Sequence, residues 1–224
     1  MSANGHEPPV TPGPGALMIL DRIRQASSQL PEEERCEMCA VVIPPEHQHV
    51  VNLESRGLLS TCRACYLLFV DRGAAGGKFR SVPDRHLSLT GFGMSQGEWD
   101  ALQIPVSVAF FFHNSVMDKV VAFYPSPAGA TESLLALDAW EQLVSANPVL
   151  VSLEPDVEAL LVRRADGASD SFLVPIDACY ELVGLLRTRW RGFDGVQDAH
   201  DAIDGFFAAL AARSTVVPPP EGQS

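Results

Sequence analysis

Two cysteine pairs, Cys36-Glu37-Met38-Cys39 and Cys62-Arg63-Ala64-Cys65, form the stretch of sequence that decides the fold of the N-terminal part of the chain. Twenty-two residues separate the two pairs. Each C-x-x-C sequence can form a tight turn that directs two sulfur atoms at one centre, and two such turns complete a tetrahedron. The spacing therefore predicts that all four thiolates bind one metal ion. Four thiolates suit zinc or a single iron, and the ligands alone do not separate these metals.

Two disulfide bonds, or a thioredoxin-like redox dithiol, are the alternative interpretations of these cysteines. Disulfides are typical of secreted chains, whereas residues 1–15 lack the basic start and the apolar run of a signal peptide. A redox C-x-x-C sequence normally occurs once in a chain. The paired spacing therefore favours a metal site in a cytoplasmic protein over both alternatives.

The composition indicates a folded, acidic protein. The chain has 224 residues, of which 46% are hydrophobic, and a chain of this length buries roughly 70% of its unfolded surface. Its longest apolar runs, such as residues 106–112, are too short to cross a bilayer. The 28 acidic and 16 basic residues give a net charge of −12, which disfavours contact with phosphate backbones. We therefore expect neither a nucleic-acid partner nor a membrane span.

The residues around the cysteines predict a small metal module. Apolar residues at helical spacing predict a helix over residues 16–30. Residues 49–54 and 58–60 predict two strands joined by a turn, and Tyr66–Val70 predicts a third short strand. The order of cysteine turn, hairpin and cysteine turn is that of a zinc-ribbon or rubredoxin-like module. We assign residues 16–85 to this module and residues 1–15 to a disordered N-terminus.

Residues 86–213 are predicted to form an α+β domain, so the fold class of the whole chain is α+β. The sequence Ser95-Gln96-Gly97-Glu98 is a capping box that begins a helix. Apolar strands predict two antiparallel hairpins, formed by residues 106–112 with 120–124 and by residues 157–163 with 171–174 around Asp166-Gly167. Further helices are predicted over residues 138–146, 177–189 and 196–213. Residues 214–224 are predicted to be a disordered tail.

The sequence has no arrangement that is typical of a catalytic centre. His47 and His49 lie between the cysteine pairs, but four thiolates already fill a tetrahedral shell. Cys179 lies in an apolar helical stretch and is expected to be a buried thiol. Neither a nucleophile elbow nor a dinucleotide-binding motif occurs. We therefore expect no catalytic residue and no further cofactor, and a binding role is favoured over an enzymatic one such as a hydrolase or transferase.

Five segments carry a resemblance to a known family: Cys36–Cys39, CRACYLLF at 62–69, FYPSPAG at 123–129, EPDVE at 154–158 and WRGF at 190–193. They resemble a bacterial family whose genes lie beside nickel–iron hydrogenases of the actinobacterial type. The resemblance covers about residues 35–213. It implies a non-enzymatic accessory or maturation factor whose partner is a hydrogenase subunit or another accessory factor.

The layout is also similar to hydrogenase-assembly chaperones that are fused to a rubredoxin-like domain. Rubredoxins usually have glycine after the second cysteine of each pair, where this chain has Ala40 and Tyr66. Because glycine readily adopts the positive φ that favours such turns, its absence favours zinc over iron. A rubredoxin-like one-electron carrier with a single iron is the alternative function that this likeness implies.

A partner-binding surface is predicted from two segments. A proline-rich stretch after a strand can hold a rigid loop, and an aromatic residue beside arginine is a typical interface anchor. The alternative is that the two aromatic residues pack the final helices. The residues of the predicted surface are Pro125, Pro127, Gly129, Glu132, Trp190, Arg191 and Phe193.

Overall fold

The computed structural model of this protein describes residues 33–92, 94–126, 129–133, 137–165, 168–189 and 196–218. These residues form helices with a three-stranded and a seven-stranded sheet, which confirms the predicted α+β class. The predicted disordered segment 1–15, the predicted helix 16–30 and the turn at Asp166-Gly167 lie outside the described residues.

The three-stranded sheet is antiparallel and contains the hairpin that was expected between the cysteine pairs. Its strands are β1 (Gln48–Asn52), β2 (Gly57–Thr61) and β3 (Phe79–Ser81), with β1 in the middle. The side chain of Asn52 accepts hydrogen bonds from the backbone N–H groups of Glu54 and Ser55, at 3.1 and 3.2 Å. These bonds fix the turn between β1 and β2, as asparagine side chains commonly do.

The segment after the second cysteine pair differs from its prediction. The sequence predicts a strand over Tyr66–Val70, but the chain forms helix α1 (Arg63–Leu67). Cys62 caps this helix, and its sulfur accepts a hydrogen bond from the N–H of Cys65 at 3.5 Å. A cap accepts a hydrogen bond from a backbone N–H group that has no partner at the start of a helix. In this segment the cap outweighs the preference of the apolar residues for a strand. The predicted strand is wrong, and β3 takes the third place in the sheet.

The seven-stranded sheet confirms both predicted hairpins. Its strand order is β10-β4-β9-β8-β5-β6-β7, and only the β10–β4 pair is parallel. The strands are β4 (Leu87–Leu89), β5 (Val108–Asn114), β6 (Lys119–Ser126), β7 (Gly129–Ser133), β8 (Glu158–Ala165), β9 (Ala168–Pro175) and β10 (Thr215–Val217). The first three residues after Ser214 thus form an edge strand, which corrects the prediction of a disordered tail from residue 214.

Four further helices flank the large sheet, and their positions follow the predictions. They are α2 (Gln96–Ala101), α3 (Leu137–Ala146), α4 (Ile176–Arg189) and α5 (Val196–Arg213). The capping box at the start of α2 is present. The Ser95 hydroxyl accepts a hydrogen bond from the N–H of Glu98, and the Glu98 carboxylate accepts one from the N–H of Ser95.

The central strands of this sheet are buried on both faces. Phe110 and Phe112 of β5 pack in the core with α4 and α5, whereas Phe111 packs on the other face in the core with α2 and α3. Side chains alternate between the faces of a strand, so an uninterrupted apolar strand needs a cover on both sides. This explains why the apolar runs of β5 and β8 show no polar alternation.

The metal module packs on the same face of the sheet as α4 and α5. Val51 of β1 and Val82 after β3 belong to the core that contains Phe110 and Phe112. Nδ1 of His49 lies 2.9 Å from a carboxylate oxygen of Asp177 at the start of α4. Apolar packing and a polar contact therefore both hold the module against the large domain.

A buried ion pair holds the segment between the two sheets. The carboxylate of Glu158 is 1% exposed, and it accepts hydrogen bonds from Nε and Nη2 of Arg85 at 2.7 and 2.5 Å. It also accepts one from the backbone N–H of Glu154 at 2.9 Å. Burying an ionised carboxylate without hydrogen-bond donors costs free energy. Glu158 therefore needs Arg85 as long as its carboxylate is ionised.

We expect Arg85→Met to lower the free energy of unfolding by about 3–5 kcal/mol, because it leaves the buried Glu158 carboxylate without its charged partner. Urea denaturation followed by circular dichroism measures the change. Arg72→Met is the matched control. Arg72 pairs with Glu154 at 3.3 Å on the surface, and loss of an exposed pair costs about 1 kcal/mol or less. Equal losses in the two variants would contradict this account.

Candidate metal centre

The four paired cysteines come together in one cluster. Their sulfur atoms all lie within 4.8 Å of one another, and Sγ of Cys39 lies 3.7 Å from Sγ of Cys62. Zinc–sulfur bonds of about 2.3 Å in a tetrahedron place the sulfurs about 3.8 Å apart. The cluster could therefore hold one metal ion, and its donors are those of a tetrahedral thiolate site.

The first cysteine pair forms a tight turn with a left-handed residue. The N–H of Ala40 donates to the carbonyl of Cys36 at 2.8 Å, and the N–H of Cys36 donates to the carbonyl of Val41 at 2.8 Å. Ala40 has φ = 61°, the conformation for which rubredoxins use glycine at this position. An alanine there costs roughly 1–2 kcal/mol, so the missing glycine does not prevent this turn.

The first turn is also tied to the hairpin. The carboxylate of Glu37 accepts a hydrogen bond from the N–H of Ser60 at 2.6 Å, and the N–H of Glu37 donates to the carbonyl of Ser60 at 2.9 Å. Ser60 belongs to β2, which leads directly to Cys62. The two cysteine pairs are thus held close by backbone contacts as well as by their side chains.

The second cysteine pair has a different geometry, because Cys62 and Cys65 lie at the start of helix α1. Tyr66 follows Cys65 inside that helix, so its φ is not positive and glycine is not required there. The pairs are therefore not two copies of one turn. This asymmetry was not expected from the two identical C-x-x-C spacings.

Burial and backbone donors act on the cysteine thiols in opposite directions. Burial raises the pKa of Cys36, but backbone N–H groups around its sulfur stabilise the thiolate and lower the pKa to about 6. Burial and the neighbouring thiols raise the pKa of Cys65 to about 12. A bound cation stabilises thiolates and displaces their protons. Cys39 is exposed, so one edge of the cluster reaches the surface.

The two histidines between the cysteine pairs have other partners. Nδ1 of His47 lies 3.0 Å from the carbonyl oxygen of Pro44, and His49 contacts Asp177 as described above. The metal-binding cluster found among the described residues contains the four cysteines and neither histidine. Cys179 lies apart, fully buried in α4, and burial raises its pKa well above the usual value.

The predicted partner surface is only partly described. Pro125 is buried in β6, and Gly129 begins β7, with φ = 123° and Ser126 as its pairing partner. The described ends of this proline-rich segment therefore belong to paired strands. The side chain of Glu132 is 41% exposed and lies 3.8 Å from Nζ of Lys119. Outside the described residues lie Pro127, Trp190, Arg191 and Phe193.

Sequence reasoning missed the two arginines that connect distant parts of the chain. Arg85 binds Glu158, and Arg80 donates to the carboxylate of Glu154 at 3.0 Å and to the carbonyl of Pro155 at 2.7 Å. The partners lie more than 70 positions away, so no local pattern could have indicated these contacts.

The fold and the site define an α+β protein with a tetracysteine cluster that could bind one metal ion. The model of a family described as a family of unknown function, DUF5947, matches residues 35–214. The chain belongs to this family, and the match includes both cysteine pairs and helix α5. No curated protein and no solved structure matches the chain. Among the described helices, none has the length and apolar composition needed to cross a bilayer.

We expect Cys65→Ser to abolish metal binding, because a serine hydroxyl replaces one of four thiolates. Elemental analysis of the purified protein gives the metal-to-chain ratio. Cys179→Ala is the matched control, since this cysteine is also buried but lies outside the cluster. Undiminished metal content in Cys65→Ser would show that the cluster is not the metal site.

The same Cys65→Ser variant should also loosen the module. A two-stranded hairpin has little stability of its own, and structural zinc contributes about 10–16 kcal/mol of apparent binding energy in small fingers. Hydrogen exchange should therefore rise in residues 36–70 and stay slow in β5 and β6. An equal rise in both regions would mean that the shared core makes them one cooperative unit.

Proposed function

We propose that this chain is a metal-stabilised protein-binding scaffold that acts, without catalysis of its own, as an accessory or maturation factor for a nickel–iron hydrogenase. The proposal rests on one observation: the four cysteines that flank the β1–β2 hairpin in sequence come together in one cluster. Four thiolates fill a tetrahedral shell and leave no position for a substrate. The metal would then hold a protein surface in place.

Zinc is the metal that we propose, in a zinc-ribbon-like module. The difference between the two cysteine pairs supports zinc, because only Cys36–Cys39 forms a turn with a positive φ after its second cysteine. Zinc has a filled d shell and no geometric preference of its own, so it accepts ligands from two unlike turns.

Exposed apolar side chains on the module support a protein partner. Large exposed apolar residues lie on the segments that carry the cysteines, namely Val41, Val42, Leu67, Leu68 and Val70. Apolar surface left in water is typical of interaction sites when it is concentrated in one region. The hydrogenase as partner rests on the resemblance of five sequence segments to the hydrogenase-associated family.

A one-electron carrier is the second candidate function, and the exposure of Cys39 favours it because an exposed ligand permits electron transfer at the surface. Visible absorption separates the candidates, since tetrathiolate iron(III) is coloured and zinc(II) is not. The decisive sample is protein purified from its native host. A colourless zinc protein excludes the carrier, whereas reversibly reducible iron excludes a purely structural metal.

We expect deletion of the gene to impair hydrogenase maturation and the wild-type gene to restore it. The Leu68→Asp variant should fail to restore activity and should no longer co-purify with the partner protein. Leu68 is an apolar residue of the module that is 65% exposed, and the substitution places a charge there. Normal hydrogenase activity in the deletion strain would contradict the proposed function.

The matched control for this experiment is Val151→Asp. Val151 is 74% exposed and lies before β8, outside the module. This variant should restore activity fully. Metal content should stay at the wild-type ratio in both variants, so that a loss of function in Leu68→Asp reports the surface rather than the metal centre. Glu132→Lys and Trp190→Ala test the surface predicted from the sequence in the same assay.

A further inference from the structure

We propose that a cleft between the metal module and the large sheet binds a small organic molecule with an apolar body and a hydroxyl or amine head that donates a hydrogen bond. The cleft has a volume of about 290 Å³. It lies between the β1–β2 hairpin, strands β5 to β7 and helix α4. The proposal is independent of the protein partner proposed above.

The walls of the cleft suit an aromatic or aliphatic body. Leu53 and Leu58 of the hairpin segment face the cleft from one side, and Phe112 and Phe123 line it from the sheet. The rings of Phe112 and Phe123 are stacked, with centroids 5.8 Å apart and planes within 10°. A cavity of about 150 Å³ holds one benzene molecule, so this cleft has room for one ring with a short side chain.

Asp156 supplies a polar group at this cleft. The residue is 6% exposed and lines the cleft, and its φ of 69° is uncommon for a residue with a side chain. Its Oδ1 atom accepts a hydrogen bond from the N–H of Ser115 at 2.8 Å. Its Oδ2 atom is buried and has no hydrogen-bond donor within the described parts of the chain. A buried carboxylate oxygen without a donor is costly.

The neighbouring arginine does not satisfy this oxygen. Nη1 of Arg80 lies 3.6 Å from Oδ2 of Asp156, beyond hydrogen-bond distance. The same Nη1 donates to the carbonyl of Pro155 at 2.7 Å, and Nη2 donates to Glu154 at 3.0 Å. Because both nitrogens have better-placed acceptors, Oδ2 of Asp156 receives no hydrogen bond from Arg80 and keeps an unfilled acceptor position.

The polar lining indicates a ligand that donates rather than accepts. Two carboxylates, Asp156 and Glu132, line the cleft against one cation, Arg56. A carboxylate ligand has no hydrogen to donate to Oδ2 of Asp156, which only accepts, so two negatively charged oxygens would lie side by side without a hydrogen bond. A hydroxyl or an ammonium group would complete the hydrogen bonding of this oxygen, and hydrogen bonds to charged groups are among the stronger ones.

Three probes with the same eight-carbon skeleton test this inference on the full-length, metal-loaded protein: 2-phenylethanol, 2-phenylethylamine and phenylacetate. We expect the alcohol or the amine to bind about tenfold or more tightly than the carboxylate, since a charge-assisted hydrogen bond is lost in the latter. Titration up to about 10 mM, followed by nuclear magnetic resonance, detects binding of this strength. The resonances of Val51 and Ile176, which line the cleft, should change their chemical shifts on binding. Equal binding of the carboxylate, or no binding by any probe, would overturn the proposal.

Asp156→Asn should reverse the preference among the probes. Asparagine tolerates a positive φ, its carbonyl can still accept the Ser115 N–H, and its amide then places a donor where Oδ2 was. The alcohol and the amine should weaken by about tenfold, and the carboxylate should gain. A loss of binding to all three probes to the same extent would indicate a structural role and overturn the assignment of Asp156.

Asp118→Asn is the matched control for this substitution. Asp118 also has a positive φ, 47°, but its side chain is 95% exposed and does not line the cleft. The Asp118→Asn variant should bind each of the three probes with the affinity of the wild type. Leu58→Trp gives an independent check away from Asp156, because the larger side chain fills the cleft and should abolish binding of every probe. Unchanged binding in Leu58→Trp would place the ligand elsewhere.

Discussion

The burial of the central strands on both faces is the constraint on which the rest of this structure depends. Phe110 and Phe112 of β5 point to one side and Phe111 to the other, so water must be excluded from both. Helices α2 and α3 cover one face, and α4 and α5 cover part of the other. The hairpin of the metal module completes the second cover. The module is therefore part of the core as well as the carrier of a cysteine cluster that could bind a metal ion.

The cysteine cluster and the large sheet both contact this hairpin near its open end, where His49 pairs with Ser60. Near the cluster, Glu37 pairs with Ser60 and the sulfur atoms converge. Towards the sheet, His49 meets Asp177 and Val51 enters the apolar core. A metal at the cluster would add a further restraint at this end, where Cys62 follows β2. A bound metal would thus restrain a segment that is too short to fold alone.

The cleft is a consequence of this arrangement. The hairpin packs on the sheet through Val51, and Leu53 and Leu58 pack against the same core as partly buried residues that line the cleft together with Phe112 and Phe123. The segment that ends in Asp156 closes one side, held by the arginine–glutamate contacts of Arg80. The hairpin therefore connects the cysteine cluster to the wall of the cleft.

The sequence by itself determined the features that depend on neighbouring residues. The C-x-x-C spacings indicated the cysteine cluster, the capping box indicated the start of α2, and apolar runs indicated both hairpins of the large sheet. Tertiary structure decided what depends on distant partners. Thr215–Val217 becomes a strand because the edge of β4 offers unpaired backbone groups. The cap of helix α1 by Cys62 is by contrast a local contact with Cys65, which the strand prediction overlooked. Arg80, Arg85 and Asp156 gain their roles from residues far away in sequence, because ion pairs and clefts are set by packing, which leaves no local pattern.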